Sequence, residues 1–569
     1  MTAASLAPVP SLSAGASIQM PAGAKIPLDE VVVIPAVPEH PAALLHEKMG
    51  KSPGAVGMIV FGIALVGGLG YAGSQLARDL STTHLASAGP YVLLGIALLI
   101  ALGFEFVNGF HDTANAVATV IYTHSLEPHV AVVWSGLWNL IGVLTSSGAV
   151  AFTIISLLPV ELVLQVGRGA GFAMVFALLI AAILWNLSTW WFGLPASSSH
   201  TLVGSIIGVG VANQLMNPHA GTSGVDWDQA SGVFKVLLIS PLVGFGLAAI
   251  LLLLLKVFVK NPALYQSPKG TEPPPLWIRA LLILTCTSVS FGHGSNDGQK
   301  GMGLIMLILI GTVPTAYALN HAVGFSQVQT FSAVSAQAEQ VFGHYVSPNA
   351  VISDARTDLT DYIRTKEFNQ NTMLAARQMV EEIDNEVVAY KQLNNIPANQ
   401  QQNVRNDMYV VSEALRLIAK NGGKNGTPTF TAAENKTLAG YKKQLDNATK
   451  FIPTWVKVAV AIALGLGTMV GWKRIVVTVG EKIGKEHLTY AQGASAEIVA
   501  AITILGADHL HMPVSTTHVL SSGVAGTMMA NGSGLQLSTI RNIALAWIFT
   551  LPVAALLSAG IFVVLRKFM

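Results

Sequence analysis

Two short runs recur in this chain, and both carry residue types suited to binding ions. Asn108-Gly-Phe-His-Asp112-Thr-Ala-Asn115 aligns with His293-Gly-Ser-Asn-Asp297-Gly-Gln-Lys300. Each places a glycine three residues before an aspartate, with His111 or Asn296 directly ahead of it. Pro195-Ala-Ser-Ser-Ser-His200 aligns with Pro513-Val-Ser-Thr-Thr-His518, and Leu202 and Leu520 follow two residues after the histidines. In the second pair, proline suits the first turn of a helix and the hydroxyls cap its free N–H groups. A helix that begins inside a membrane presents bare N–H groups and a positive dipole end, which together favour an anion. Ser197, Ser198 and Ser199 facing Ser515, Thr516 and Thr517 would hold a tetrahedral oxyanion through neutral donors that can also release it. One such motif would be read as capping and packing. Two copies related by a repeat make a built site the better reading.

The first pair of runs supplies charge. Asp112 and Asp297 end apolar runs, with Asn115, Asn296, Gln299 and Lys300 close in sequence. Carboxylates inside a membrane are expensive and mark function. Gly109, Gly294, Gly298 and Gly301 would let the helices break, so that carboxylate, amide and freed carbonyl oxygens form a hard-cation or proton site. A plain Asp297–Lys300 pair or a helix cap is the structural alternative. His111, His200 and His518 are read as hydrogen-bonding or proton-handling groups. Together with His293 and Asp508-His509-Leu-His511 they match no metal-ligand spacing, so neither a resident metal nor a cofactor is expected. Glu105 and Glu497 are either pathway acids or residues facing water at a boundary.

The elements that must position these residues are membrane helices. Of 569 residues, 52% are hydrophobic and 11% charged. With a mean hydropathy of +0.55, that leaves too little charge to cover a soluble protein of this size. A net charge of +2 provides no field for a polyanion, so a nucleic-acid binder is excluded. The single cysteine, Cys286, excludes a disulfide framework. Apolar runs of spanning length fall at 54–77, 89–110, 130–158, 169–193, 233–259, 277–318 (interrupted), 453–472, 490–507 and 541–566. Two Gly/Ser/Thr-rich runs, 196–213 and 513–530, are spans or re-entrant halves. Ten to twelve membrane elements are therefore expected, in an all-α polytopic protein.

Residues 1–53 read as a mobile tail, 54–319 as a first membrane part and 453–569 as a second. Residues 320–452 contain 13 Lys+Arg and 13 Asp+Glu, an ordinary soluble density, and read as a small helical insert. Asp112 precedes Pro195 by 83 residues and Asp297 precedes Pro513 by 216; the surplus matches the insert. Without it the halves are commensurate, as in transporters built from two repeats. Basic residues at Lys256, Lys260, Lys269 and Arg279, and at Lys473, Arg474, Lys482 and Lys485, place both loops in the cytoplasm and the insert outside it.

Gly109-Phe-His-Asp-Thr-Ala-Asn-Ala116, Gly294-Ser-Asn-Asp-Gly-Gln-Lys-Gly301 and the two Pro-Ser motifs resemble the paired signatures of the inorganic phosphate transporter (PiT) family. The pattern is closest to its bacterial low-affinity branch. The resemblance covers about 54–319 and 453–567 and omits the N-terminal tail. It implies two inverted repeats with discontinuous or re-entrant helices and a phosphate site near the midplane. It makes Ser197, Ser198, Ser199, Ser515, Thr516 and Thr517 the phosphate donors. Asp112, Asn115, Asn296 and Asp297 become coupling-ion and phosphate-site residues, with His111, Gln299, Lys300, His200 and His518 around them. His111 stands where the broader family has asparagine, which leans the coupling towards protons and towards neutral metal–phosphate complexes as cargo. Sodium coupling stays open.

The leading expectation is a proton-coupled phosphate symporter of a bacterial inner membrane. Sodium-coupled phosphate symport and a sulfate permease of the same family are the alternatives. The implied partners are inorganic phosphate, H+ or Na+ and the bilayer, with a homodimer as the candidate assembly. An intramembrane hydrolase is disfavoured because a catalytic site rarely needs two equivalent motifs. A passive anion channel would be told apart by flux without a cation gradient.

Overall fold

The computed structural model describes residues 41–51, 54–81, 89–112, 114–158, 160–164, 169–217, 225–268, 270 and 272–568. The chain divides into two compact units after Glu47, and the site and the insert both lie in the second, Lys48–Met569.

The helices, in chain order, are α1 (Pro41–Gly50), α2 (Ala55–Leu80), α3 (Gly89–Asp112), α4 (Ala114–Tyr122), α5 (Pro128–Thr145), α6 (Ala149–Ile155), α7 (Val160–Leu164), α8 (Gly169–Trp191), α9 (Ser198–Met216) and α10 (Trp227–Phe258). There follow α11 (Leu276–Thr312), α12 (Pro314–Tyr317), the insert helices α13 (Phe325–His344), α14 (Ala355–Thr365), α15 (Thr372–Tyr390), α16 (Ala398–Asn421) and α17 (Ala432–Thr449), then α18 (Thr454–Thr468), α19 (Lys473–Val477), α20 (Tyr490–His509), α21 (Thr516–Asn531) and α22 (Leu537–Leu565). Among the described residues, eight helices are long and apolar enough to cross a membrane, the α3–α4 stretch counting as one from Tyr91 to Tyr122. The helices α9, α18 and α21 fill the interior between them. Val56, Leu242 and Leu556 stand out from the body on α2, α10 and α22, as lipid-facing side chains do.

The packing follows an exchange rule. α3 pairs with α18 as α11 pairs with α5, α9 with α22 as α21 with α10, and α8 with α22 as α20 with α10. The seams are backbone against backbone. A methyl group at Gly109 would overlap the carbonyl oxygen of Leu464, and one at Gly467 that of Phe106. Gly294 meets the carbonyl of Asn139 in the same way, and Gly142 that of Phe291. Small residues permit this approach between helices where no hydrophobic force distinguishes helix from lipid.

Two local expectations are corrected here. The glycines of the second aspartate motif do not break a helix, because α11 runs uninterrupted through Gly294–Gly301 to Thr312. Each glycine is instead occupied by a neighbour, Gly298 by Val143 and Gly301 by Glu105. The interruption comes later, at Pro314, which opens α12. Nor do the motif prolines enter the first turn. Ser197 and Ser515 are the N-caps, accepting from the backbone N–H of His200 and His518 at 3.2 and 3.1 Å. Pro195 and Pro513 lie two residues earlier, and the carbonyl of Pro195 accepts from Trp547 Nε1 at 2.8 Å. A proline does sit inside α10, at Pro241. The Leu237 carbonyl it strips of a donor accepts from Ser240 Oγ at 2.9 Å.

The insert has a core of its own, with Leu359, Met379, Ile383, Met408, Ile418 and Tyr441 buried in it. It is fastened to the membrane body by charge. Asp226, the N-cap of α10, receives Lys366 Nζ at 2.6 Å and Arg416 Nη2 at 3.0 Å. Burial alone would lift the Asp226 carboxyl, but the Lys366 bond and the two cations outweigh it and hold its pKa below the usual value.

Candidate functional site

The starts of α9 and α21, the end of α3 and the middle of α11 bring the two repeated motifs together. Ser198 Oγ donates to Asp112 Oδ2 at 2.6 Å and lies 3.4 Å from Asp297 Oδ2, so one hydroxyl touches both aspartates. Thr517 Oγ1 donates to Asp112 Oδ1 at 2.8 Å. His111 Nδ1 donates to the same oxygen at 2.9 Å, and its Nε2 meets Thr189 Oγ1 at 3.0 Å. Asp112 is thus ringed by neutral hydroxyls and an imidazole drawn from three helices.

Asp297 has a different environment. Lys300 Nζ pairs with its Oδ1 at 2.7 Å, and His293 Nε2 lies 3.5 Å from its Oδ2. The Lys300 ammonium also donates to Ser199 Oγ at 2.5 Å, and Ser199 donates onward to the Val514 carbonyl at 2.9 Å. Lys300, at 0% exposure, is among the largest fully buried side chains described. Charges so placed persist only when paired and hydrogen-bonded. Asp112, His293 and Asp297 offer ligand atoms that all lie within 4.8 Å of one another, a donor set of oxygen and imidazole fit for a cation.

The predicted hydroxyls divide into three kinds. Ser197 and Ser515 are consumed as caps, while Ser198, Ser199 and Thr517 are tied to carboxylates, the ammonium or backbone. Thr516 Oγ1 is buried with no hydrogen-bond partner among the described residues, which leaves its hydroxyl for a ligand.

Some predicted residues serve the surroundings. Asn296 Nδ2 donates to the Met512 carbonyl at 3.1 Å and its Oδ1 accepts from Val514 N at 3.4 Å, fixing the turn before α21. Gln299 turns to Asp508, at 2.7 Å, and accepts from Val150 N at 2.9 Å. His200 and His518 touch neither aspartate by hydrogen bond; their rings face each other at 4.5 Å, and His518 stacks on Trp547 at 4.1 Å. The side chain of Asn115 lies outside the described residues.

Sequence reasoning did not assign Asn139, which meets His293 Nδ1 at 2.8 Å, or Ser295, which donates to Asp508 Oδ2 at 2.6 Å. Asp508 stood out only as one member of an Asp-His-Leu-His run, and Asn139 sits in an apolar helix with no motif around it. Both open acids prove fully buried. Glu105 packs against Gly301, beside Lys300, and Glu497 on α20 accepts from Thr119 of α4 and Thr285 of α11.

Comparison with known proteins gives the family. A family model described as the phosphate transporter family matches residues 108–558. The low-affinity inorganic phosphate transporter PitA of Escherichia coli K12 is 41% identical over 489 residues, covering 83% of this chain and 96% of that relative. PitB of the same organism is 40% identical over 83% of this chain and 96% of its own length. A probable low-affinity inorganic phosphate transporter of Bacillus subtilis is 27% identical over 84% of this chain and 98% of its own. A solved structure titled the sodium-dependent phosphate transporter covers 84% of this chain and 100% of its own at a TM-score of 0.46 and 19% identity.

Proposed function

We propose that this chain, which belongs to the phosphate transporter family, imports inorganic phosphate through a bacterial inner membrane by symport with a cation. It is a membrane transport protein and not an enzyme; the relatives it matches are named as phosphate transporters. The observation that carries the reading is the convergence of two capped helix starts on two buried aspartates. The starts of α9 and α21 supply N–H dipoles and the Thr516 hydroxyl for an oxyanion. The Asp112–His293–Asp297 set supplies oxygen and imidazole for the coupling cation. Neither ion would enter a membrane interior readily alone, and each lowers the cost of the other.

His111, bonded to Asp112, favours protons as the coupling ion. A neutral metal–phosphate complex would suit a site with few free charges. The exchange of packing partners between the halves supports two repeats of inverted orientation that rock about the site. Sulfate is the second reading, since it is also a tetrahedral anion. A carboxylate able to accept the P–OH of monohydrogen phosphate, as Asp112 or Asp297 could, favours phosphate over it.

Radiolabelled phosphate uptake into proteoliposomes holding the full chain tests this, with a pH gradient and a sodium gradient imposed in turn and sulfate and magnesium varied. Accumulation driven by the pH gradient and indifferent to sulfate is expected. Accumulation with sodium alone would overturn the proton assignment, and sulfate uptake without phosphate uptake would overturn the substrate.

A further inference from the structure

The two aspartate motifs coincide at the aspartate and part company three residues later. There the first half has Asn115, a neutral amide, and the second has Lys300, an ammonium. In a duplicated site this is a difference of one full charge at matched positions. The Lys300 side chain, on α11, is fully buried. Its Nζ is held by Asp297 Oδ1 at 2.7 Å and Ser199 Oγ at 2.5 Å, so the ammonium lies against the same carboxylate that faces Asp112 and His293.

We infer that Lys300 is a tethered cation, which occupies permanently a place that a mobile coupling ion would otherwise have to fill. The inference rests on the phosphate–cation symport reading and deepens it. Two buried carboxylates sharing the Ser198 hydroxyl repel each other and the incoming anion, and positive charge must come from somewhere. A covalently attached ammonium supplies one unit without being drawn from solution, and it leaves with neither phosphate nor the coupling ion. Glu105, on the neighbouring face of Gly301, adds a third carboxyl beside the ammonium. Whatever charge Glu105 carries, exchanging Lys300 for an amide removes one positive charge from the site. The requirement for mobile cations is therefore one lower per phosphate than it would be with amides in both halves. Specificity follows too. A –CH2–NH3+ group held by a carboxylate and a hydroxyl leaves no oxygen cage of sodium size at that place, so sodium cannot take the position of Lys300 at Asp297 Oδ1.

The test compares the parent chain with Lys300→Asn, which installs the amide of the first half. Both are purified whole and placed in proteoliposomes. Phosphate uptake is measured with sodium or choline as the external cation, and charge moved per phosphate from the reversal potential. Parent uptake should be the same in the two media. In Lys300→Asn, uptake in choline should fall about tenfold or more and recover saturably with sodium, with one more charge moved per phosphate. Sodium-dependent protection against thermal unfolding of the detergent-solubilised protein provides a readout that needs no transport. Sodium should raise the Tm of Lys300→Asn and leave the parent unmoved. A folded variant with no sodium response in either assay overturns the inference, as does a parent as sodium-responsive as the variant. A parent chain that moves no phosphate under any gradient would instead overturn the proposed function, which separates the two failures.

Discussion

The two halves of the site are built on one pattern and solvated differently. Asp112, from the first half, is bonded by Ser198, Thr517 and His111, all groups that carry no obligatory charge. Asp297, from the second, is paired with an ammonium three residues along its own helix. The hydroxyl rows differ as well. Ser198 is engaged by a carboxylate, while its counterpart Thr516 has no partner among the described residues. Duplication therefore supplies the geometry of two facing helix starts, and on the proposed symport reading single-residue departures would assign the anion and the cation to different sides of it.

Removing either carboxylate should break this arrangement most severely. Asp112→Asn and Asp297→Asn should each abolish concentrative uptake, a loss of about a hundredfold or more, read as the phosphate ratio across proteoliposomes under a gradient. Asp297→Asn also leaves Lys300 buried and unpaired, so it should lower the Tm in detergent more than Asp112→Asn does. Equal uptake by parent and both variants would remove the aspartates from the mechanism.

A second asymmetry lies further from the anion. Counting back from the two Pro-Ser motifs, Glu497 matches Leu179, so the second half has a buried acid where the first has a core leucine. Glu497→Ala strands the hydroxyls of Thr119 and Thr285 and should cost about 2 kcal/mol of stability, whereas a conservative Leu179→Met should cost under about 1.5 kcal/mol. Comparing Tm values in one detergent checks both.

The hydroxyls sharpen the comparison more gently. Thr516→Ala removes a donor that no described residue uses and should raise the phosphate KM about threefold to tenfold. Ser198→Ala should alter the cation requirement more than the phosphate KM, because its hydroxyl belongs to Asp112. An unchanged KM in Thr516→Ala would move the anion elsewhere.

The smallest effect is expected at the insert. The Asp226 carboxyl, with its pKa lowered in the folded protein, stabilises docking above the ordinary carboxylate range and loses that contribution as pH falls through its depressed value. Docking should therefore stay constant from neutral pH to about pH 4 and weaken only below it. Asp226→Asn should lessen the pH dependence there by about 0.5–1 kcal/mol after allowance for solvent, leaving the weaker share of Asp228, which also pairs with Lys366 and Lys420. Limited proteolysis across that pH range measures both.

Much of this was legible in the sequence, for identifiable reasons. Repeats survive as strings, so Asp112, Asp297 and the two hydroxyl rows announced themselves by alignment. Membrane spans are visible because lipid demands apolar length. Illegible were the features that depend on which helices meet. Glycines spaced for a broken helix proved to be seams in an unbroken one, since helix ends and close approaches both favour glycine. The prolines before α9 and α21 act outside the helix, where a neighbouring tryptophan claims a carbonyl. Asn139 carries no local signature at all, because its importance comes from His293, 154 residues away.

The seams have a consequence for how this sequence can drift. At Gly109, Gly142, Gly294 and Gly467 the neighbour is a main-chain oxygen, which every amino acid possesses and no substitution can trim. A new side chain at any of them has no compensating partner change available to it. A library of random variants selected for growth on phosphate should therefore return glycine alone at these four codons, while the apolar positions facing lipid exchange freely.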